Sequence, residues 1–136
     1  MSDPGSVTVE PVPTVLSSLT VTDILLVEGA AYLPFAIFFS GTPNLTATGS
    51  TQGDALSLPS GFCMFTTVAS GTGAVLPADA PVGSLWEVWN AGANDLLVYP
   101  FSGAQIQGFG TDLPATISTG GAAKFFVNSL TQVYAR

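Results

Sequence analysis

The chain has 136 residues, of which 47% are hydrophobic and only 8% charged; nine acids stand against two cations, Lys124 and Arg136, for a formal net charge of −7. Histidine is absent and Cys63 is the only cysteine. These counts exclude imidazole proton relays, Ser-His-Asp triads and Cys/His metal sets, an internal disulfide, and the basic patch that direct nucleic-acid binding needs.

Residues 1–18 read as an extended amino-terminal arm, because Pro4, Pro11 and Pro13 favour extended geometry. Such an arm suits docking on a neighbouring subunit. Residues 19–136 read as a single β-sandwich domain. Its first strand spans 19–27 and ends in Ile24-Leu25-Leu26-Val27, and a second apolar piece follows Pro34 at 36–39. Segment 42–53 is polar and turn-rich, with one short strand at 45–48.

From Asp54 the rhythm sharpens. Strands are predicted at 55–58, 62–68, 73–76, 83–90, 96–99, 105–107, 113–118, from Ala123 to Val127, and at 130–135. Pro59, Pro77, Pro100 and Pro114 fall at their borders, as expected for a residue excluded from central strands. Leu113, Ala115 and Ile117 are expected on one face of their strand, and Ala123, Phe125 and Val127 on one face of theirs. No stretch has a helical period, and surface helix formers are scarce. The reading is all-β: an antiparallel β-sandwich or jelly roll of about eight to ten short strands.

The search for chemistry finds none. The acids are scattered, and no Asp-x-Asp calcium pattern occurs. Gly71-Thr72-Gly73 and Gly108-Phe109-Gly110 lack the lysine or helix of a phosphate loop and read as turns. Cys63, inside Phe62-Cys63-Met64-Phe65, reads as a small core residue with no base or cation beside it. No catalytic, cofactor-binding or metal-ligating residue is assigned, no cofactor is expected, and the protein is not expected to be an enzyme.

The amino terminus lacks the basic region of a signal peptide. The most apolar charge-free stretch, 29–39, is interrupted by Pro34 and is about half of the roughly 20 residues that span a bilayer. The expectation is synthesis in a reducing cytoplasm, with no membrane partner.

What remains is surface. A charge content of 8% against about 25% in ordinary chains points to faces covered by other protein, since interface cores are depleted of charge. Tyr32, Phe35, Phe38 and Phe39 belong to the densest apolar cluster, a core strand pair or an intersubunit surface. Trp86 and Trp89 face opposite sides of one strand. Glu87 shares a face with Leu85 and Trp89, which directs Trp89 outward as a partner anchor. Trp89 or Tyr99 as a sugar-stacking surface is the rival reading. Lys124 and Arg136 are candidates for ion pairs across subunits. The interface candidates are therefore Tyr32, Phe35, Phe38, Phe39, Trp89, Lys124 and Arg136.

Residues 73–136 carry a more specific pattern: Ala74-Val75-Leu76-Pro77, Pro81-Val82-Gly83, Val88-Trp89-Asn90-Ala91-Gly92-Ala93-Asn94, Leu97-Val98-Tyr99-Pro100 and Ser102-Gly103-Ala104-Gln105-Ile106-Gln107-Gly108. A glycine turn, Ala123-Lys124-Phe125 and Gln132-Val133-Tyr134 complete it. In this order the pieces resemble capsid decoration (cement) and head-fibre proteins of tailed bacteriophages. The family commonly has tryptophan in its last strand, where this chain has Val133 or Tyr134. The resemblance implies a β-sandwich or jelly-roll module on the capsid exterior, often a homotrimer. It would bind the major capsid protein and copies of itself, stabilise the shell and need no catalysis. A tail, baseplate or fibre module of the same particle and a carbohydrate-binding β-sandwich are the alternatives.

Overall fold

The computed structural model describes residues 41–136 and Thr22. The expected arm, the strands expected at 19–27 and 36–39, and the candidates Tyr32, Phe35, Phe38 and Phe39 lie outside the described residues.

The described residues form ten strands: β1 (Gly41–Thr46), β2 (Leu56–Ser57), β3 (Phe62–Thr67), β4 (Gly73–Val75), β5 (Leu85–Asn90), β6 (Leu96–Tyr99), β7 (Gln105–Ile106), β8 (Ala115–Ile117), β9 (Ala122–Val127) and β10 (Gln132–Ala135). Pro59, Pro77, Pro100 and Pro114 all fall between strands. Pro43 lies within β1, an edge strand with register shifts on both sides of Leu45, where the missing N–H costs no central ladder bond.

The arrangement is not the expected antiparallel sandwich or jelly roll. Consecutive strands from β1 to β6 alternate between two sheets, and each of β1 to β4 pairs in parallel with the strand two places on. β1, β3 and β5 run parallel in a six-stranded sheet of order β1-β3-β5-β9-β10-β7. β2, β4 and β6 run parallel in a four-stranded sheet of order β2-β4-β6-β8. The chain therefore climbs through stacked parallel coils, a β-solenoid. Register partners lie 21 residues apart at Gly41 and Phe62 and 25 apart at Phe62 and Glu87. Short strands bounded by Gly and Pro serve a hairpin and a coil corner equally well. The long-range pairing separates them, and local rhythm does not carry it.

After the third coil the direction reverses. β8 pairs antiparallel with β6, and β9 antiparallel with β5. These two strands add a layer of opposite sense to the stack, joined by a turn in which Gly120 has φ 77°, a conformation glycine adopts without steric cost. β10 then pairs with β9, and β7 with β10.

One core lies between the sheets. Cys63, Phe65, Val88, Phe125, Val127 and Val133 enter it from the larger sheet. Ala74, Leu96, Val98, Ala115 and Ile117 enter from the smaller. Phe65 and Phe125 are fully buried, each stabilising the fold by roughly 1.5–3 kcal/mol. Cys63 is buried and free, as its apolar setting suggested. Ala123, Phe125 and Val127 do share the inward side of β9, although Ala123 is only partly buried. Leu113 departs from expectation: it is exposed and lies outside β8, between Asp112 with φ 62° and Pro114. Strand alternation does not extend to it.

Candidate functional site

The outward side of the six-stranded sheet carries the features that packing leaves unused. On β5 the inward residues are Trp86, Val88 and Asn90; Leu85, Glu87 and Trp89 point the other way, as the period of two requires. On β9, Ala122, Lys124 and Phe126 alternate outward against Phe125 and Val127. Tyr134 stands outward on β10, and Phe62 and Met64 are half-buried on β3. Exposure reaches 55% at Leu85, 42% at Phe126, 41% at Trp89 and 38% at Tyr134.

Cross-strand register sorts these side chains into rows. Leu85, Phe126 and Tyr134 form one apolar row. Met64, Trp89 and Ala122 form another. Between them runs Phe62, Glu87 and Lys124, extended by Arg136, whose backbone exchanges both hydrogen bonds with Lys124, at 2.7 and 3.0 Å. The chain's two cations are thus adjacent on one face, with a carboxylate on the far side of Lys124. The other acids of the described residues, Asp54, Asp79, Asp95 and Asp112, lie in loops. Glu87 is thus the one acid of the described residues that lies in a strand, and it shares its row with both cations.

Trp89 is held in place. Its Nε1 donates to Glu87 Oε1 at 2.7 Å, and its ring packs on Phe62 with centroids 6.4 Å apart and planes 48° apart, a favourable tilted arrangement. Trp86, on the opposite side, packs against the core and donates to Ser84 Oγ at 2.9 Å. The assignment of one tryptophan to each side agrees with the strand alternation.

Of the interface candidates, the structure brings together Trp89, Lys124 and Arg136 on this one face. It also adds residues that sequence reasoning left unassigned to the face: Phe62, Met64, Phe126 and Tyr134. The alternation of β9 held the signal for Phe126, opposite Phe125. Tyr99 is not a stacking surface. It is 7% exposed, and its hydroxyl donates to the Ser50 carbonyl at 3.2 Å.

Other places offer less chemistry. An open depression among turns is lined by Ser70, Gly71, Ala93, Asn94, Asp95 and Thr119, with a single ionisable group. Among the described residues no three His, Cys, Asp or Glu side chains are grouped to hold a metal ion. Comparison with protein-family models, with curated proteins and with solved structures finds no match for this chain.

Proposed function

We propose that this protein is a structural component of a tailed-phage particle that binds the outside of the capsid shell and stabilises it. It is made in the host cytoplasm, associates with the major capsid protein and with copies of itself, and performs no catalysis. The observation that carries this reading is the outward face of the six-stranded sheet, with Leu85, Trp89, Phe126 and Tyr134 exposed around one short charged row. Contiguous apolar surface on a soluble protein marks a site covered by another protein. Trp and Tyr are the side chains that most often anchor such contacts. A stacked-coil body with a continuous core suits a rigid surface brace. The resemblance of residues 73–136 to decoration and head-fibre proteins supplies the particle and the location.

A tail, baseplate or fibre module of the same particle is the second reading, favoured by one observation. Parallel coils lengthen by adding further coils of the same kind, which suits a shaft. Sugar stacking loses support, since Tyr99 is buried and Phe62 and Trp89 are tilted rather than coplanar.

The test is sedimentation of the purified protein with empty shells of the phage that encodes it, followed by electron cryomicroscopy of the intact particle. Co-sedimentation and density on the shell exterior are expected. Density confined to the tail would select the second reading, and absence from the particle would overturn both.

A further inference from the structure

We propose that the outward face of the six-stranded sheet binds the same face of a second copy of this chain, about a two-fold axis parallel to the strands above the gap between β5 and β9. The charged row dictates this occupant. Across the sheet its order is Phe62, Glu87, Lys124, Arg136, on the neighbouring strands β3, β5, β9 and β10. These strands are evenly spaced at about 4.8 Å. A two-fold axis between the middle two exchanges β5 with β9 and β3 with β10. Glu87 of each copy then lies over Lys124 of the other, and Phe62 over Arg136, placing a guanidinium on an aromatic ring.

The apolar rows obey the same operation. Trp89 and Ala122 are register partners, as are Leu85 and Phe126. In the pair, Trp89 covers Ala122 of the second copy, the largest side chain over one of the smallest, and Leu85 covers Phe126. Two aligned sheets pack face to face about 10 Å apart, a separation that Glu and Lys side chains bridge together. Elsewhere two copies of an acidic chain repel. On this face a second copy brings a carboxylate to each lysine and a ring to each arginine.

Symmetry follows from the same pattern. A face complementary to itself is an isologous contact, which a two-fold axis generates and a three-fold ring does not. The inference rests on the same face as the proposed function and assigns that face to a second copy, in place of the homotrimer that the resemblance implies. Oligomeric state and co-sedimentation with shells are read separately, so either can fail without the other.

Native mass spectrometry and sedimentation equilibrium of the full chain test it. The wild type is expected to be a dimer at micromolar concentration. Glu87→Lys alone sets two ammonium groups against each other at both symmetry-related contacts, and Lys124→Glu alone sets two carboxylates against each other at both. Each single variant should raise the dimer dissociation constant by about tenfold or more, while its thermal melt stays cooperative and is lowered only modestly by the like charges it sets opposite each other within one copy. Mixing the two variants should restore a dimer as the heterodimer. There one contact pairs native Glu87 with native Lys124, and the other pairs the ammonium introduced at position 87 with the carboxylate introduced at position 124, so both contacts join opposite charges. Restoration on mixing separates pairing between copies from the Glu87–Lys124 neighbourhood within one copy. Should either charge variant fold poorly, Ala122→Arg, at an exposed position, fills the space under Trp89 of the second copy and should yield monomers. A monomeric or trimeric wild type, single variants that dimerise like wild type, or a mixture that stays monomeric would each overturn the proposal.

Discussion

Asn90 Nδ2 donates to the carbonyl of Ile117 at 2.8 Å, tying β5 of the larger sheet to β8 of the smaller. The same amide nitrogen donates to Asn94 O at 2.9 Å, and Oδ1 accepts from the Gly92 N–H at 3.0 Å. Asn90 is the buried polar residue of the described core, and all its side-chain contacts are internal. One side chain thereby fixes the corner of the third coil and the reversed layer stacked on it. Asn90→Ala removes these bonds and takes the side-chain partner from the Ile117 carbonyl and the Gly92 N–H, both at buried positions, each loss costing about 1–3 kcal/mol. We expect a loss of about 3 kcal/mol or more in chemical denaturation. A change below about 1 kcal/mol would mean that water replaces the amide.

The same corner demands a glycine. A Cβ on Gly92 would stand 2.6 Å from Val68 Cγ2 and 2.9 Å from the Val68 backbone nitrogen, so the coils would have to separate. Asn94 Nδ2 donates to the Val68 carbonyl at 2.8 Å, which holds that neighbour where it is. Gly92→Ala should therefore destabilise by about 2 kcal/mol, within the range for overpacked sites. Gly71→Ala, at an open position with φ 77°, should cost about 1 kcal/mol from backbone strain alone. Thermal melts of the two variants give the comparison.

Individual strands were legible because proline and glycine mark their ends, and β6 lies at the predicted 96–99. The sheets were not. Leu58-Pro59, Leu76-Pro77 and Tyr99-Pro100 are successive coil corners, with Leu58 N donating to Val75 O and Leu76 N to Tyr99 O, both at 3.0 Å. That recurrence, at intervals of 18 and 23 residues, is the sequence signal of a coil, and it is faint because one coil is longer than the other. The outward direction of Trp89 follows from strand alternation. The adjacency of Lys124 and Arg136 needs the β9–β10 register, which no local pattern contains.

The turn at Thr51-Gln52-Gly53-Asp54 gives a pH-dependent signature. Thr51 donates to Asp54 Oδ1 through both its N–H and its hydroxyl, each at 2.7 Å. These bonds favour the ionised form and hold the carboxyl below the ordinary carboxylate range. A depressed folded value means that the contribution is complete above the unfolded value and fades as pH falls through the lower folded one. NMR titration of the Asp54 side-chain carboxyl should give a midpoint below that of an unstructured aspartate. In Thr51→Val, which lacks the hydroxyl, the midpoint should rise. An unchanged midpoint would mean that the hydroxyl does not hold the carboxylate in solution.

The two tryptophans of β5 should separate stability from assembly. Trp86 packs on the core and bonds Ser84 Oγ, so Trp86→Ala should cost about 3 kcal/mol, toward the lower end for large aromatic truncations. Trp89 lies outside the core, touching Phe62 and Glu87, and its removal should cost about 1 kcal/mol, the order of an aromatic pair. The ranking should invert for self-association. Trp89→Ala removes the anchor over Ala122 of the second copy, and hot-spot truncations of this kind cost about 2 kcal/mol or more, about a thirtyfold weaker dimer. Trp86→Ala, measured well below its melting temperature, should dimerise nearly as wild type does. Equal effects of both substitutions on association would show that the outward side of β5 is not the contact, because only Trp89 stands on it.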